Sequence, residues 1–378
     1  MKARRLCACR AWTAGLRGRV EGVGGIAIKG CGKGIPRYSL HNRDLEEFLD
    51  TSHDWIVSRT GIEERRVAAP DEDNVSLSLL ACGQALERAG VEGRDVDLIV
   101  VATATPDRMV PSLACTLQRE LGSRGPALDI NAGCSGFIYA LAIAFHLMRG
   151  GIATRALVVG TETLTRIVDW RDRSTCVIFG DGAGAALLAP CPEGEGIIAA
   201  SLDALGEGDG LIRAEGGGAR MMASLAGGLV PGNHLLPSPL PHLHRTWNGI
   251  DPFLRMDGKE VFKFAVNKLC ATVKELCSAA GVGTEEVSLI IPHQANLRIL
   301  AAAAERLGVP KESFFTNIQR YGNTSAASIP IALEEALRAG MIREGDLVIL
   351  AGFGAGMTWG GALLRWQDGQ AIEGGRTA

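Results

Sequence analysis

The 378-residue chain is 47% hydrophobic and 21% charged, with a net charge of −3 at neutral pH. That profile supports a large buried core, in two domains or one large duplicated one, and the near-neutral balance gives nucleic acid no electrostatic footing. Ten cysteines lie scattered without repeated CxxC pairs, so neither a metal-ligand spacing nor a disulfide framework is expected, and the compartment reads as reducing and cytosol-like.

Residues 1–19 carry basic residues, no acidic one, and no long apolar core of a secretory signal. They read as a basic N-terminal extension outside the chemistry, with a plastid-type transit peptide as the alternative. No run of about 18 apolar residues occurs, so no membrane span is expected and the location is expected to be cytoplasmic. Val23–Lys29 reads as the first strand, and Asn42–Leu49 as a helix capped by Asn42. Thr51–Gly61 brings charged and aromatic side chains close together. Ser76–Ala89 is a helix stopped by Gly90. Val96–Ala102 is a continuously apolar strand, the pattern of a sheet covered on both faces. A helix over Ser112–Leu121 follows.

Ala127–Ile130 then reads as a short strand and Phe137–Met148 as a helix apolar on every side, with Cys134 between them at the helix mouth. Unpaired amides and the helix dipole favour negative charge there, which predicts a thiol that ionises more easily than usual. A buried, inert cysteine is the other reading, and on this stretch alone both stay open. The strand Ala156–Gly160 and a glycine-lined turn into a strand at Phe179–Leu188 complete this part.

Residues 206–250 are rich in Gly and Pro and hold His234, His242 and His244. A His-x-His pair without further ligands at useful spacing reads as a long surface loop or lid rather than a metal site. Order returns with a helix over Val261–Ala280 and the strand Val287–Pro292, which runs into His293. A helix over Leu297–Leu307 ends at Gly308. The turn Tyr321–Thr324, a helix over Ala326–Arg338 and strands at Leu347–Ala351 and Gly361–Trp366 finish the chain.

The halves echo one another. Val96-Asp-Leu-Ile and Val287-Ser-Leu-Ile lie 191 residues apart, as do the strands beginning at Ala156 and Leu347, and the same shift carries Cys134 onto Ser325. This predicts a duplicated α/β unit with sheets between helix layers. Cys134 at a helix start, His293 at a strand end and Asn323 in a glycine-containing turn would then share one end of the sheets, where open α/β proteins gather ligands. Cysteine, histidine and asparagine together suit acyl transfer, in which a thiolate forms a thioester and nitrogen donors stabilise an oxyanion. Papain-like proteases use the same three residue types, so identity alone does not select the reaction.

The chain resembles the β-ketoacyl-[acyl-carrier-protein] synthase III family from about residue 22 to 366. The matching segments are Trp55–Ile62, Asn131–Phe137, Phe179–Ala185, His293–Arg298, Gly322–Ser328 and Gly352–Trp359. The resemblance implies a thiolase-like fold, with duplicated βαβαβαββ halves in an α-β-α-β-α sandwich. The N-terminal half would span 20–190 and the C-terminal half 191–368, with the 206–250 loop inserted and 369–378 as a tail. It implies that Cys134, His293 and Asn323 condense an acyl-CoA primer with malonyl-acyl-carrier protein, without a cofactor, initiating fatty acid biosynthesis. It also implies an oxyanion hole from the amides of Cys134 and Ala355, CoA and pantetheine contacts from Trp55, Arg59, Arg173, Gly258 and Asn296, and an acyl pocket bounded by Phe179 and by Val110 of a second copy in a homodimer. Lys263, Arg298 and Arg306 would dock the acidic carrier protein, with Glu305 weakening that patch. A thiolase would need a second cysteine in Gly352–Met357, and none is there. A condensing or acyl-transfer enzyme of the same fold acting on another primer or acceptor in secondary metabolism is the alternative.

Overall fold

The computed structural model describes residues 24–217 and 251–367, with the backbone of Trp12–Thr13. The rest of the N-terminal extension, His234, His242 and His244 of the glycine-rich loop, and the 369–378 tail lie outside the described residues. In chain order the strands are β1 (Trp12–Thr13), β2 (Gly25–Gly34), β3 (Tyr38–His41), β4 (Glu64–Val67), β5 (Leu98–Ala102), β6 (Ala127–Ile130), β7 (Ala156–Thr163), β8 (Asp181–Cys191), β9 (Gly196–Ala204), β10 (Ile212–Arg213), β11 (Arg255–Met256), β12 (Leu289–Pro292), β13 (Leu347–Gly354) and β14 (Thr358–Arg365).

The first half orders its strands β2-β8-β7-β5-β6 and the second β9-β14-β13-β12, with one parallel bridge from Ile26 to Gly196 joining them. In each half the inner strands run parallel (β5 with β6 and β7, β12 with β13) and the next strand turns antiparallel. A parallel bridge from Ile290 to Phe314 stands in the second half where β6 stands in the first.

Both faces of these strands are covered, which is why they read as unbroken apolar runs. Ile99, Val101, Leu157 and Val159 meet Leu77, Ala81 and Ala85 of the outer helix Asn74–Ala89. Leu98, Val100 and Val158 point the other way, into a central layer made by helices Gly136–Arg149 and Ser328–Arg338, which Val348 and Leu350 close from the second sheet. Helices Gly258–Ala280 and Leu297–Leu307 cover the far side through Leu269, Val273 and Ile299. The layers therefore run α-β-α-β-α. Local chemistry marks the helix ends. The Asp73 carboxylate accepts the Ser76 amide at one start, Asn296 accepts the Arg298 amide at another, and Gly90 and Gly308 take φ of 65° and 72° at the stops.

The 191-residue echo is real for part of each half. β5 and β12 begin at 98 and 289, β7 and β13 at 156 and 347, and the short turns Gly133–Ser135 and Ser325–Ala327 precede the two central helices. The shift drops to 177 at the last strands, where Leu188 and Arg365 occupy matching places, because 164–180 separates β7 from β8 while only 355–357 separates β13 from β14. Asn42 is not the cap expected of it. His41 holds the cap position, and Asn42 is buried, accepting from Arg65 Nη2 at 2.7 Å and donating to the Ile62 carbonyl at 2.7 Å. A fully buried guanidinium needs such acceptors more than an exposed helix end does.

At Gly160 on β7 an added Cβ would lie 2.2 Å from the carbonyl oxygen of Ala326, in the turn that starts a central helix. Backbone cannot give way as a side chain can, so Gly160→Ala should cost about 1–3 kcal/mol. A urea midpoint equal to that of the unsubstituted protein would reject this contact.

Candidate active site

A cavity of about 750 Å³ opens where the ends of both parallel strand sets converge. Cys134, His293 and Asn323 all line it, each delivered by a different segment. After β6, Gly133 adopts φ of 52°, and a Cβ there would lie 2.9 Å from the Ala355 amide nitrogen. At Gly354 a Cβ would lie 2.5 Å from the amide nitrogen of Cys134. Glycine at both positions lets the two backbones touch, and this places Ala355 beside the nucleophile's own amide.

Cys134 sits in the short turn two residues before the helix Gly136–Arg149 begins. The easy ionisation expected at a helix mouth does not follow in this setting. Burial pushes the thiol up to about 12, and the nearby Glu162 carboxylate adds to it. Hydrogen bonds from Ser325 and the backbone pull the other way but do not win.

His293 is fixed at the end of β12 by its amide, which donates to the Ala351 carbonyl at 2.8 Å, and its ring meets Phe353 edge-on at 5.3 Å. Burial pushes its imidazole down to about 3, so it is neutral at physiological pH. Nδ1 lies 2.6 Å from Ser328 Oγ, which also accepts the Gln294 amide at 3.4 Å. The hydroxyl proton then goes to Nδ1, leaving the imidazole proton on Nε2. The Asn323 side chain is oriented the same way. Its Oδ1 accepts the Ser325 amide at 2.8 Å, which leaves the Nδ2 donors for the cavity.

The other expected residues divide. Trp55, Arg59, Arg173, Gly258, Asn296 and Phe179 line the cavity. Arg59 and Arg173 both lie 5.1 Å from the Trp55 ring, and Arg173 also donates to Asp50. That spacing leaves no room for a base between Arg173 and Trp55, so adenine stacking there requires the guanidinium to swing away. Asn296 caps its helix and donates to the Arg59 carbonyl at 3.0 Å. Lys263 and Arg298 line the same cavity, Lys263 paired with Glu260 at 2.7 Å.

Arg306 is not brought to this cavity. It lies eight residues beyond Arg298 on one helix, roughly 12 Å along its axis, and donates to Asn267. Lys259 and Arg213 stand there instead. Sequence reasoning missed both. Lys259 adjoins Gly258 and was within reach, whereas Arg213 arrives only through the β10–β11 pairing. Val110 is 81% exposed and lies outside this chain's cavity, and Met109 beside it is also exposed. Among the described residues no group of three or more His, Cys, Asp or Glu could hold a metal ion, and no helix is long and apolar enough to cross a membrane.

The family described as 3-Oxoacyl-[acyl-carrier-protein (ACP)] synthase III matches residues 128–206, and its C-terminal counterpart matches 277–366. The chain is 44% identical to the β-ketoacyl-[acyl-carrier-protein] synthase III of Roseiflexus castenholzii, over 91% of this chain and 98% of that one. It is 45% identical to the protein of that name from Geobacillus kaustophilus, over 90% and 99%. The crystal structure of 3-oxoacyl-[acyl-carrier-protein] synthase III from Aquifex aeolicus superposes with a TM-score of 0.79 at 43% identity, covering 90% of this chain and 100% of that one. The priming β-ketosynthase of the R1128 polyketide pathway superposes at 0.81 with 34% identity, covering 94% and 100%.

A neutral His293 has a measurable signature. Its folded value lies below the ordinary 6.5, so between the two values the unfolded chain binds the extra proton and this group makes the fold less stable as pH falls. Nitrogen-15 NMR of the imidazole should show the Nε2-protonated neutral form throughout about pH 5–8, with that preference weakened in Ser328→Ala. A protonation midpoint near 6.5 in the folded protein would contradict the assignment.

Proposed function

The chain belongs to the β-ketoacyl-[acyl-carrier-protein] synthase III family, and from that premise we propose that it starts fatty acid biosynthesis by condensing an acyl-CoA primer with malonyl-acyl-carrier protein through an acyl group on Cys134. The observation that carries this reading is the meeting of Cys134, His293 and Asn323 in one cavity with a stacked Trp55 and cationic side chains. Cys134 attacks the primer thioester, the amides of Cys134 and Ala355 hold the oxyanion, and CoA leaves. The malonyl thioester oxygen then takes Nε2–H of His293 and Nδ2–H of Asn323. These neutral donors suit an enolate, because they stabilise its charge without giving up a proton. Carbon dioxide departs, the carbanion attacks the Cys134 thioester, and β-ketoacyl-carrier protein is released. No cofactor enters this scheme.

Trp55, Arg59 and Arg173 would bind the nucleotide end of CoA, an indole for the base and guanidinium forks for phosphate, with Gly258 and Asn296 along the pantetheine. Lys263 and Arg298, joined by Lys259 and Arg213 at the cavity and by Arg306 farther along the Arg298 helix, would face the acidic carrier protein. We also propose a homodimer. β6 ends the strand order of its sheet, and the loop carrying the exposed Val110 stands beside it. A two-fold axis at that edge would bury both and bring Val110 to the partner's acyl pocket. Similarity to a priming polyketide synthase keeps a second reading, the same chemistry with another primer, which a panel of acyl-CoAs separates by mass of the acyl-enzyme.

Cys134→Ala should take up no acyl group from any acyl-CoA, and an acyl mass gained on another cysteine would sink the assignment. His293→Ala and Asn323→Ala should each slow malonyl decarboxylation about 10²–10³-fold while leaving acylation of Cys134 far less affected. Equal damage to both half-reactions would reject the division of roles.

Valine at position 110 leaves space for primers longer than acetyl, straight or branched. Val110→Phe should move selectivity toward acetyl-CoA by about 1–3 kcal/mol. The check is the relative acylation rate with acetyl-, isobutyryl- and hexanoyl-CoA. A wild-type preference for acetyl of about tenfold or more, with no effect of the substitution, would count against Val110 as the selector.

A further inference from the structure

Six cationic side chains line the cavity, Arg59, Arg173, Arg213, Lys259, Lys263 and Arg298, and among the described residues no carboxylate does. Three carboxylates nevertheless lie behind its wall, gathered on one guanidinium. Arg255 Nε stands 2.6 Å from Asp251, Nη1 2.9 Å from Asp172 and Nη2 3.3 Å from Asp169. Arg255 does not itself line the cavity, but its neighbours Leu254 and Met256 do. Asp172 adjoins Arg173 and accepts both the amide and the hydroxyl of Ser174, another lining residue. The β10–β11 pair sets Arg255 opposite Arg213. One guanidinium therefore joins the loop before Arg173 to the ribbon that carries Arg213.

We propose that Arg255 is a positioning residue for the thioester substrate: it cancels the charge of Asp169, Asp172 and Asp251 behind the cavity wall, so that the phosphates of CoA meet Arg59 and Arg173 without an opposing field. This deepens the proposed function and rests on its reading that CoA enters here. Arg255 reaches the substrate only through the groups around it. Its removal leaves the cations of the cavity in place but sets uncompensated negative charge behind them, which repels a polyanion.

The charge balance depends on this one residue. Among the described residues Arg255 is the one cation within 4 Å of Asp172 and of Asp251, while Asp169 also has Arg171 at 2.9 Å. Two guanidiniums thus face three carboxylates, and without Arg255 one would. Burial works against charge on each carboxylate, yet hydrogen bonds from Arg171, Ser174 and Arg255 outweigh it. All three are held below the ordinary range and are ionised at neutral pH. Asp169 is buried and the other two are partly covered, so water screens them less than it screens a surface charge. Asp50, paired with Arg173, and Glu260, paired with Lys263, are exposed and better screened. A lysine would supply the charge of Arg255 but not a planar fork that reaches three carboxylates.

Calorimetric titration of the full chain with CoA alone tests this. Arg255→Gln should weaken CoA binding by about tenfold or more, the scale on which local charge changes the concentration of an ionic ligand, and Arg255→Lys should fall between it and the wild type. A second substitution separates charge cancellation from a merely structural clasp. Asp251→Asn keeps the oxygen that accepts the Phe253 amide but removes a charge. In the Arg255→Gln background a clasp that loses another member would bind CoA no better, whereas loss of an uncompensated carboxylate should restore about threefold or more. CoA affinity unchanged in Arg255→Gln, or not restored in the double variant, overturns the proposal. If Arg255→Gln does not fold, Asp251→Asn alone decides. It should tighten CoA binding, and weaker binding overturns the proposal. Melting temperature reads the same charges without ligand: Arg255→Gln should lower it, and adding Asp251→Asn should recover part of the loss. A wild type that binds no CoA sinks the proposed function, and the melting pattern then still decides whether Arg255 cancels the three carboxylates.

Discussion

Backbone packed directly against backbone is the constraint on which the site depends. The turn holding Cys134 touches the start of the 354–356 turn through Gly354, and the turn holding Ser325 touches β7 through Gly160. At each place the nearest neighbouring atom is main chain, so a side chain there could not be accommodated by rotation of its neighbour. The halves are thus held in register at the point where Cys134, His293 and Asn323 must meet. Central helices that bury almost every apolar side chain then fix that register over the whole layer. Such packing tolerates little change in volume, which is how a cavity wall built from two halves keeps its dimensions.

The chemistry of the cavity follows from the dryness this packing creates. A half-exposed imidazole would carry charge near neutrality, whereas His293 stays neutral. A thiol at an open helix mouth would ionise readily, whereas Cys134 is held as the acid. Both shifts have one cause, removal of water from a group that would be charged. The effect on the histidine is useful, since a neutral donor on Nε2 serves an enolate oxygen. The effect on the cysteine is an obstacle, and the nearby Glu162 carboxylate adds to it.

The duplication clarifies why the Cys134 and Ser325 turns meet. Cys134 and Ser325 occupy equivalent turns before equivalent helices, and a pseudo-symmetric fold brings the two turns face to face. One copy of the turn carries the nucleophile and the other carries the amide that orients Asn323. Asn323, two residues before Ser325, belongs to the same turn, and the Ser325 amide orients its side chain. Divergence between two copies of one unit has therefore supplied much of the site, without a new element in either half.

The sequence by itself determined most strands of the large sheet, though not Gly196–Ala204, along with most helix ends and the three polar residues at the cavity. These are local facts: apolar runs, capping side chains and glycines after helices. The 191-residue echo was legible for the same reason, until the insertion at 164–180 broke it. What only the tertiary structure decided depends on neighbours distant in sequence. Asn42 looked like a cap until Arg65 took its oxygen. Arg306 shares a helix with Arg298 but does not line the cavity, and Arg213 reached the cavity through a strand pair that no spacing announces. Glu162 passed unnoticed inside an apolar strand, because nothing in Gly160-Thr-Glu-Thr163 shows that Ser325, 163 residues later, donates to its carboxylate. Charge states belong to the same category. Helix position argued for an ionised thiol, and the solvent-excluding fold, which no stretch of sequence contains, reversed it.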